Sequence, residues 1–424
     1  MRKILLMSLV ASSVLMAGGW KIPETSLNAI ALSSANIAHN KSADAAYYNP
    51  ANMVFMADES IIELDLTYIG LDAPNYKGTV FGTGPHDLNA EKESFLIPTI
   101  NYVSGKAGEA RIGLSILTPG GLSKRWNTEP AKTAAEEFAL EIVEVNPTVA
   151  IPLNDKVAVA FGFRILHSSG VVKSDGTVPI EVAPSVFQPS NLTRDMTGDA
   201  LDFGYNLALA YKPTSDLEIG LTYRSKVSLD LEGNAKLSSY SAAVPALNAT
   251  YDGDGSVSVP LPACASAALA YTFSLDTTVE FVYERNFWSA FSEFDINYDG
   301  SITSPVLTAA FDDPLAKNWK DTNAYRLGIT QELNKMSIMA GIVYDESPIP
   351  DETIGFELPD SNSLTVSLGA RFEINKETEI AIATLYSMRE SRNITADDNN
   401  NNGLIGEFTN SNALLVSTGI SYKF

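Results

Sequence analysis

The chain has 424 residues, with 29 Lys and Arg against 51 Asp and Glu, three His and a single Cys. A formal charge of −22 excludes a nucleic-acid partner, because binding phosphate needs a cationic face that displaces counterions. The lone Cys264 excludes an intramolecular disulfide and any multi-cysteine metal site.

At the N-terminus, Arg2 and Lys3 precede an apolar run from Ile4 to Met16 and the small residues Ala17-Gly18-Gly19. This is the three-part pattern of a secretory signal peptide, so residues 1–17 are expected to be removed on export. The run is shorter than the roughly 20 apolar residues of a spanning helix. Residues 18–57 follow without period-two alternation, rich in Ala, Ser and Asn, and end near an Asn49-Pro50 step that favours a turn.

From residue 58 onward the pattern changes to strands. Phe203, Tyr205, Leu207, Leu209 and Tyr211 point one way, and Asp202, Gly204, Asn206, Ala208 and Ala210 the other. The same split recurs at 143–153, at 157–165, at 217–224 and at 325–330. One face is apolar and the other small or polar, where a soluble sandwich would carry Lys and Glu. Short turns (104–108, 154–155, 213–216, 274–277, 334–335, 375–378) alternate with long polar segments near 72–92, 118–137, 172–195, 233–255, 299–318, 345–362 and 390–410. That asymmetry predicts an all-β chain: a transmembrane antiparallel β-barrel of about 14 strands in a bacterial outer membrane, short side toward the periplasm. The last strand alternates Leu414, Val416, Thr418, Ile420, Tyr422 and Phe424. This ending resembles the C-terminal signal through which outer-membrane barrels engage the barrel-assembly machinery. A barrel this wide would otherwise hold water, so residues 18–57 are expected to form an N-terminal hatch plugging the lumen of the barrel at 58–424.

The stretch Ser42-Ala43-Asp44-Ala45-Ala46-Tyr47-Tyr48-Asn49-Pro50-Ala51 resembles the hatch motif, ending in Asn-Pro-Ala, of the FadL/TodX family of outer-membrane transporters for hydrophobic compounds. The likeness continues through Thr118-Pro119-Gly120-Gly121-Leu122, residues 144–150, 220–225, 261–262 and 347–351, and Leu358-Pro359-Asp360-Ser361. The resemblance implies passive transport of long-chain fatty acids or aromatic and aliphatic hydrocarbons, caught among extracellular loops and passed to a pocket above the hatch. It further implies lateral release where the third strand, here 111–118 running into Pro119-Gly120-Gly121, kinks inward. Gly113 or Pro119-Gly120-Gly121 could permit that kink, since Gly and Pro interrupt strand pairing. A loop simply starting there is the other reading. The partners implied are a hydrophobic small molecule and the surrounding lipid and lipopolysaccharide.

Ligand-contact candidates come from two places. Val178 and Phe187, with Leu237 and Tyr240, are apolar groups in otherwise polar loops, which suits either a ligand groove or loops packing as a cap. Parity points Arg164, Arg224, Arg326 and Arg371 into the lumen among several carboxylates. They would either take a ligand carboxylate or brace the barrel as ion networks. No catalytic motif, dinucleotide fingerprint or metal-ligand spacing stands among His39, His86, His167 and the acids. No cofactor, no metal and no enzyme activity are expected. A general diffusion porin, or a structural or adhesive barrel, is the alternative. The hatch argues against it, since a porin constricts its lumen with a loop.

Overall fold

The computed structural model describes residues 18–300 and 302–424, so the expected signal segment lies outside the described residues. Alternation builds the wall. Along β1 (Ile61–Leu71) the polar Glu63, Asp65 and Thr67 are buried while Leu64, Leu66 and Tyr68 are exposed. This inversion of a soluble protein is what lipid outside and a packed lumen inside require. The wall continues with β2 (Glu93–Val103), β3 (Arg111–Arg125), β4 (Glu137–Asn154), β5 (Val157–Ala183), β6 (Val186–Tyr211) and β7 (Leu217–Arg224). It is completed by β8 (Cys264–Phe273), β9 (Thr277–Asn286), β10 (Thr322–Glu332), β11 (Met336–Asp345), β12 (Ser363–Glu373), β13 (Thr378–Arg389) and β14 (Ala413–Lys423). Each pairs antiparallel with its neighbours, and β14 pairs with β1 from Ile61↔Lys423 to Leu71↔Ala413. The sheet closes on itself as a 14-strand barrel, β14 meeting β1, as a lipid-facing sheet requires.

The expected short turns fall at one end. At the other end, part of what reads as long polar segments is strand: β5 and β6 run far past the membrane and pair up to Ala183↔Val186. A second hairpin, Val227–Tyr240 with Ala249–Leu261, stands beside them. These extensions have water or cap residues on both sides, so no apolar face marks them in the sequence. A small sheet of Asn75–Val80, Thr83–Asn89, Arg392–Ile394 and Leu404–Thr409 covers the opposite rim. Tyr76 and Phe408 pack there beneath Phe356 and Trp126.

Residues 18–57 lie inside the wall, almost entirely buried. The segment forms α1 (Leu27–Ala31), capped by the Ser26 hydroxyl, α2 (Ala45–Tyr48), and a 3₁₀ turn at Pro50–Phe55. The Asn49 side-chain oxygen accepts the Ala51 N–H at 3.2 Å, closing the turn that the Asn-Pro step starts. Strand side chains hold its backbone. Glu280 of β9 accepts the N–H groups of Ile37, Ala38 and His39 at 2.7, 2.7 and 2.9 Å. Asp65 of β1 accepts that of Leu27 at 3.1 Å. Asn49 also donates to the Leu209 carbonyl of β6 at 3.2 Å.

Candidate functional site: a break in the wall and an apolar cavity

The third strand departs from the rest of the barrel. Up to Leu117 it alternates. From Leu117 to Lys124 every residue is buried, so the strand has lost its lipid face and turned inward. Pro119 lacks the N–H a ladder needs, and the register with β4 slips between Leu117↔Glu144 and Gly120↔Ile142. Pairing with β2 covers only Ile100↔Ile116 through Val103↔Gly113. Residues 93–99 of β2, still paired with β1, have no ladder partner on β3. The outer end of this gap is tied by Glu93, which accepts Ser123 Oγ at 2.9 Å and Arg125 Nε at 2.7 Å.

Part of the edge freed on β3 is taken by the N-terminal segment. Ile22 N–H donates to the Pro119 carbonyl at 2.9 Å, and Gly121 N–H to that of Trp20 at 2.8 Å. A methyl group built on Gly120 would sit 2.8 Å from the Trp20 oxygen, so glycine is what allows this approach. Gly113 serves a different contact. A methyl there would meet Thr148 Oγ1 at 2.5 Å and Ala46 Cβ at 2.7 Å, so it lets α2 lie against the wall.

Above this break lies a cavity of about 220 Å³, with Trp20 in its lining. Its wall comes from β3 (Leu122), β4 (Phe138, Leu140), β5 (Val172) and β6 (Met196), its inner side from Leu231 and Val259, and its cover from Phe291, Phe294, Phe311 and Trp319. Trp20 stands 5.0 Å from Trp288, 5.1 Å from Phe291 and 4.8 Å from Trp319, ring centre to ring centre. All four tryptophans of the chain belong to this buried cap core. The short helix Ala131–Ala135 closes one side, with Lys132 Nζ 2.6 Å from Asp175, whose carboxyl that hydrogen bond holds below its usual range. Two cations line the cavity. Lys317 is matched by Glu357 at 2.6 Å. Arg194 has no carboxylate partner among the described residues, its Nε is buried without a hydrogen-bond acceptor, and its guanidinium lies 5.7 Å from the Phe311 ring centre.

The lumenal arginines sit elsewhere and are consumed by acids. Arg164 makes two bonds to Glu144, at 3.0 and 2.8 Å, and one to the Ser225 carbonyl. Arg224 reaches the same Glu144 at 3.4 Å, lies over the Tyr47 ring at 3.5 Å and donates to the Tyr47 carbonyl. Arg326 bonds Glu24 and Glu284, each at 3.2 Å, and the Ser33 carbonyl at 3.1 Å. Arg371 Nη2 donates to both carboxylate oxygens of Glu63, at 2.8 and 2.9 Å, and its Nε to Asn28 Oδ1 at 2.7 Å. Thus Arg164 and Arg224 are brought together, Arg326 and Arg371 hold other parts of the N-terminal segment, and none lines this apolar cavity. Nor do the four loop residues. Leu237 is buried, Val178 half-buried, and Phe187 and Tyr240 are exposed on the hairpins. The cavity residues escaped the sequence reading because they stand on strand stretches that have left the lipid belt. The tryptophans were the available signal: four of them, with no place in the alternating apolar faces.

A closed 14-strand barrel with an internal N-terminal segment and an apolar chamber at its loop end defines an outer-membrane transport barrel. The chain belongs to the family described as outer membrane protein transport protein (OMPP1/FadL/TodX), whose model matches residues 8–424. Among curated relatives it is similar to a long-chain fatty acid transport protein of Escherichia coli O6:H1, 25% identical over 80% of this chain and 79% of that one. Among solved structures it is similar to a Pseudomonas aeruginosa FadL homologue, with a TM-score of 0.82 and 20% identity over 96% and 99% of the two chains. It is also similar to the P. putida toluene transporter TodX, with a TM-score of 0.70 and 17% identity over 93% and 98%. Its place is the outer membrane, crossed by strands; no helix among the described residues is long and apolar enough to span.

Proposed function

We propose that the chain is a passive transporter that captures hydrophobic molecules in the loop-end cavity and releases them laterally, through the gap between β2 and β3, into the membrane. The observation that carries this reading is the adjacency of cavity and gap: Leu122 lines the chamber and stands on the inward-turned, partly unpaired stretch of β3. Burial of apolar surface supplies the affinity, and a lateral exit spares the ligand a polar lumen filled with ion pairs. Arg194 supplies a fixed positive charge for a carboxylate end, so a fatty acid with its tail among Leu122, Phe138 and Met196 fits the lining. Trp20 serves as the latch, touching both the chamber and the β3 break.

A diazirine-bearing fatty acid, photolysed on the purified barrel and mapped by mass spectrometry, tests the route. The expected labels fall on cavity residues, on 94–99 and 117–122, and on 20–22. Labels running instead down the lumen to the turn end would replace lateral release with a through-channel.

A further inference from the structure

The panel of β3 to β6 that walls the cavity has two upright edges, and the second is also broken. On its far edge β6 pairs with β7 from Tyr211↔Ile219 up to Asn206↔Arg224. The ladder resumes at Asp199↔Glu232 with the hairpin strand Val227–Tyr240. Residues 200–205 have no ladder partner on that side, while their other side stays fully paired with β5.

The height of this break matters. The outer face of β6 runs Tyr211, Leu209, Leu207, Tyr205, Phe203, Leu201 and turns acidic at Asp199. Leu201 and Phe203 are 60% and 56% exposed. The break therefore lies in the outer half of the apolar belt, where unpaired backbone is tolerated only if covered or lining a passage.

On the inner side the path is lined by apolar residues, with Asp202 among them, and is continuous with the cavity. Met196 and Leu231 line the chamber, and Ala200, Val227 and Leu229 share their hydrophobic cluster. The stopper is small. A methyl built on Gly204 would meet Val227 Cγ2 at 2.7 Å, so one valine seated on one glycine closes the slot. Across it run a pair of bonds at the foot, between Ser225 and Tyr205 at 2.9 and 3.0 Å, and one from Asp230 N–H to Asp202 at 3.3 Å.

The geometry points to a second lateral passage, between β6 and the 225–231 stretch, through which uncharged hydrophobes leave the cavity for the outer leaflet. It rests on the transporter reading and gives the uncharged substrates a route of their own. The two exits differ in charge. The first is framed by Lys124 and by Arg125 with its partner Glu93, the second by Asp202 and Asp230, which repel a carboxylate and leave a hydrocarbon unaffected.

The test uses the full chain in a bacterial host lacking a transporter of this family, with Cys264→Ala as background and Gly204→Cys with Val227→Cys as a lock. Toluene and oleate accumulation are measured oxidised and after reductant. Toluene accumulation is expected to fall several-fold when oxidised and to return on reduction, oleate being spared. Val227→Ala, which needs no disulfide, is expected to raise toluene accumulation. Toluene accumulation equal in oxidised and reduced cells, with the disulfide shown by mass, overturns the second passage alone. Failure of the unaltered chain to accumulate either probe sinks the transporter reading itself.

Discussion

The barrel interior has two storeys that treat the same residue type in opposite ways. In the lumen, Arg164, Arg326 and Arg371 are each held by at least one buried carboxylate, and their remaining donors go to the N-terminal segment or its neighbours. In the chamber above, Arg194 stands among Phe311, Met196 and Leu231 with no ion-pair partner among the described residues, the one carboxylate in the lining, Glu357, being bonded to Lys317. A buried cation that is paired holds structure together, and one left unpaired costs free energy unless something else supplies the anion. The difference separates the scaffold from the site.

Substitutions sharpen that contrast. Arg326→Ala would leave Glu24 and Asp345 without their ion-pair partner and Glu284 with Lys21 alone, at 2.7 Å, and about 3–5 kcal/mol of stability should go with it. The shift of the heat-modifiable gel band to lower temperature reads this loss. Gly113→Val is expected to cost about 1–3 kcal/mol by driving α2 off the wall, on the same assay. Arg194→Met removes the buried unpaired charge and should raise the melting point rather than lower it. It should weaken fatty-acid binding by the loss of one charge-assisted contact, about 1.5–3 kcal/mol, and leave toluene binding as it was. A fall in both ligands alike would mean that Arg194 shapes the chamber rather than reads a head group. Smallest of all, Phe187→Ala and Tyr240→Ala, at exposed positions away from the cavity, should change stability by less than ~0.5 kcal/mol. Binding isotherms for these two should overlay the parent chain.

Much of the fold was legible because lipid and lumen force alternation. Tyr205 and Leu207 faced lipid for the same reason that Gly204 and Asn206 could not. Legibility ended where that force ended. The third strand read as finishing at Thr118, yet it runs to Arg125, because beyond Leu117 both of its faces are buried and the period of two vanishes. Likewise 172–195 read as a loop although it pairs as β5 and β6, since above the membrane neither face needs to be apolar. The lumenal arginines were legible as inward-facing, but parity cannot tell which partner a side chain meets. Arg194 lay outside the belt where parity applies, so only the folded chamber marks it.

The most direct measurement is quenching of intrinsic fluorescence by a brominated fatty acid added to the purified barrel. All four tryptophans are buried in the cap, at most 5% exposed, and Trp20 and Trp319 line the chamber. Acid dissolved in the detergent belt does not reach them. Ligand in the cavity does. Saturable quenching in the parent chain, shifted to higher concentration by Arg194→Met, is the result this account expects. Quenching that never saturates, or that Arg194→Met leaves in place, would contradict it.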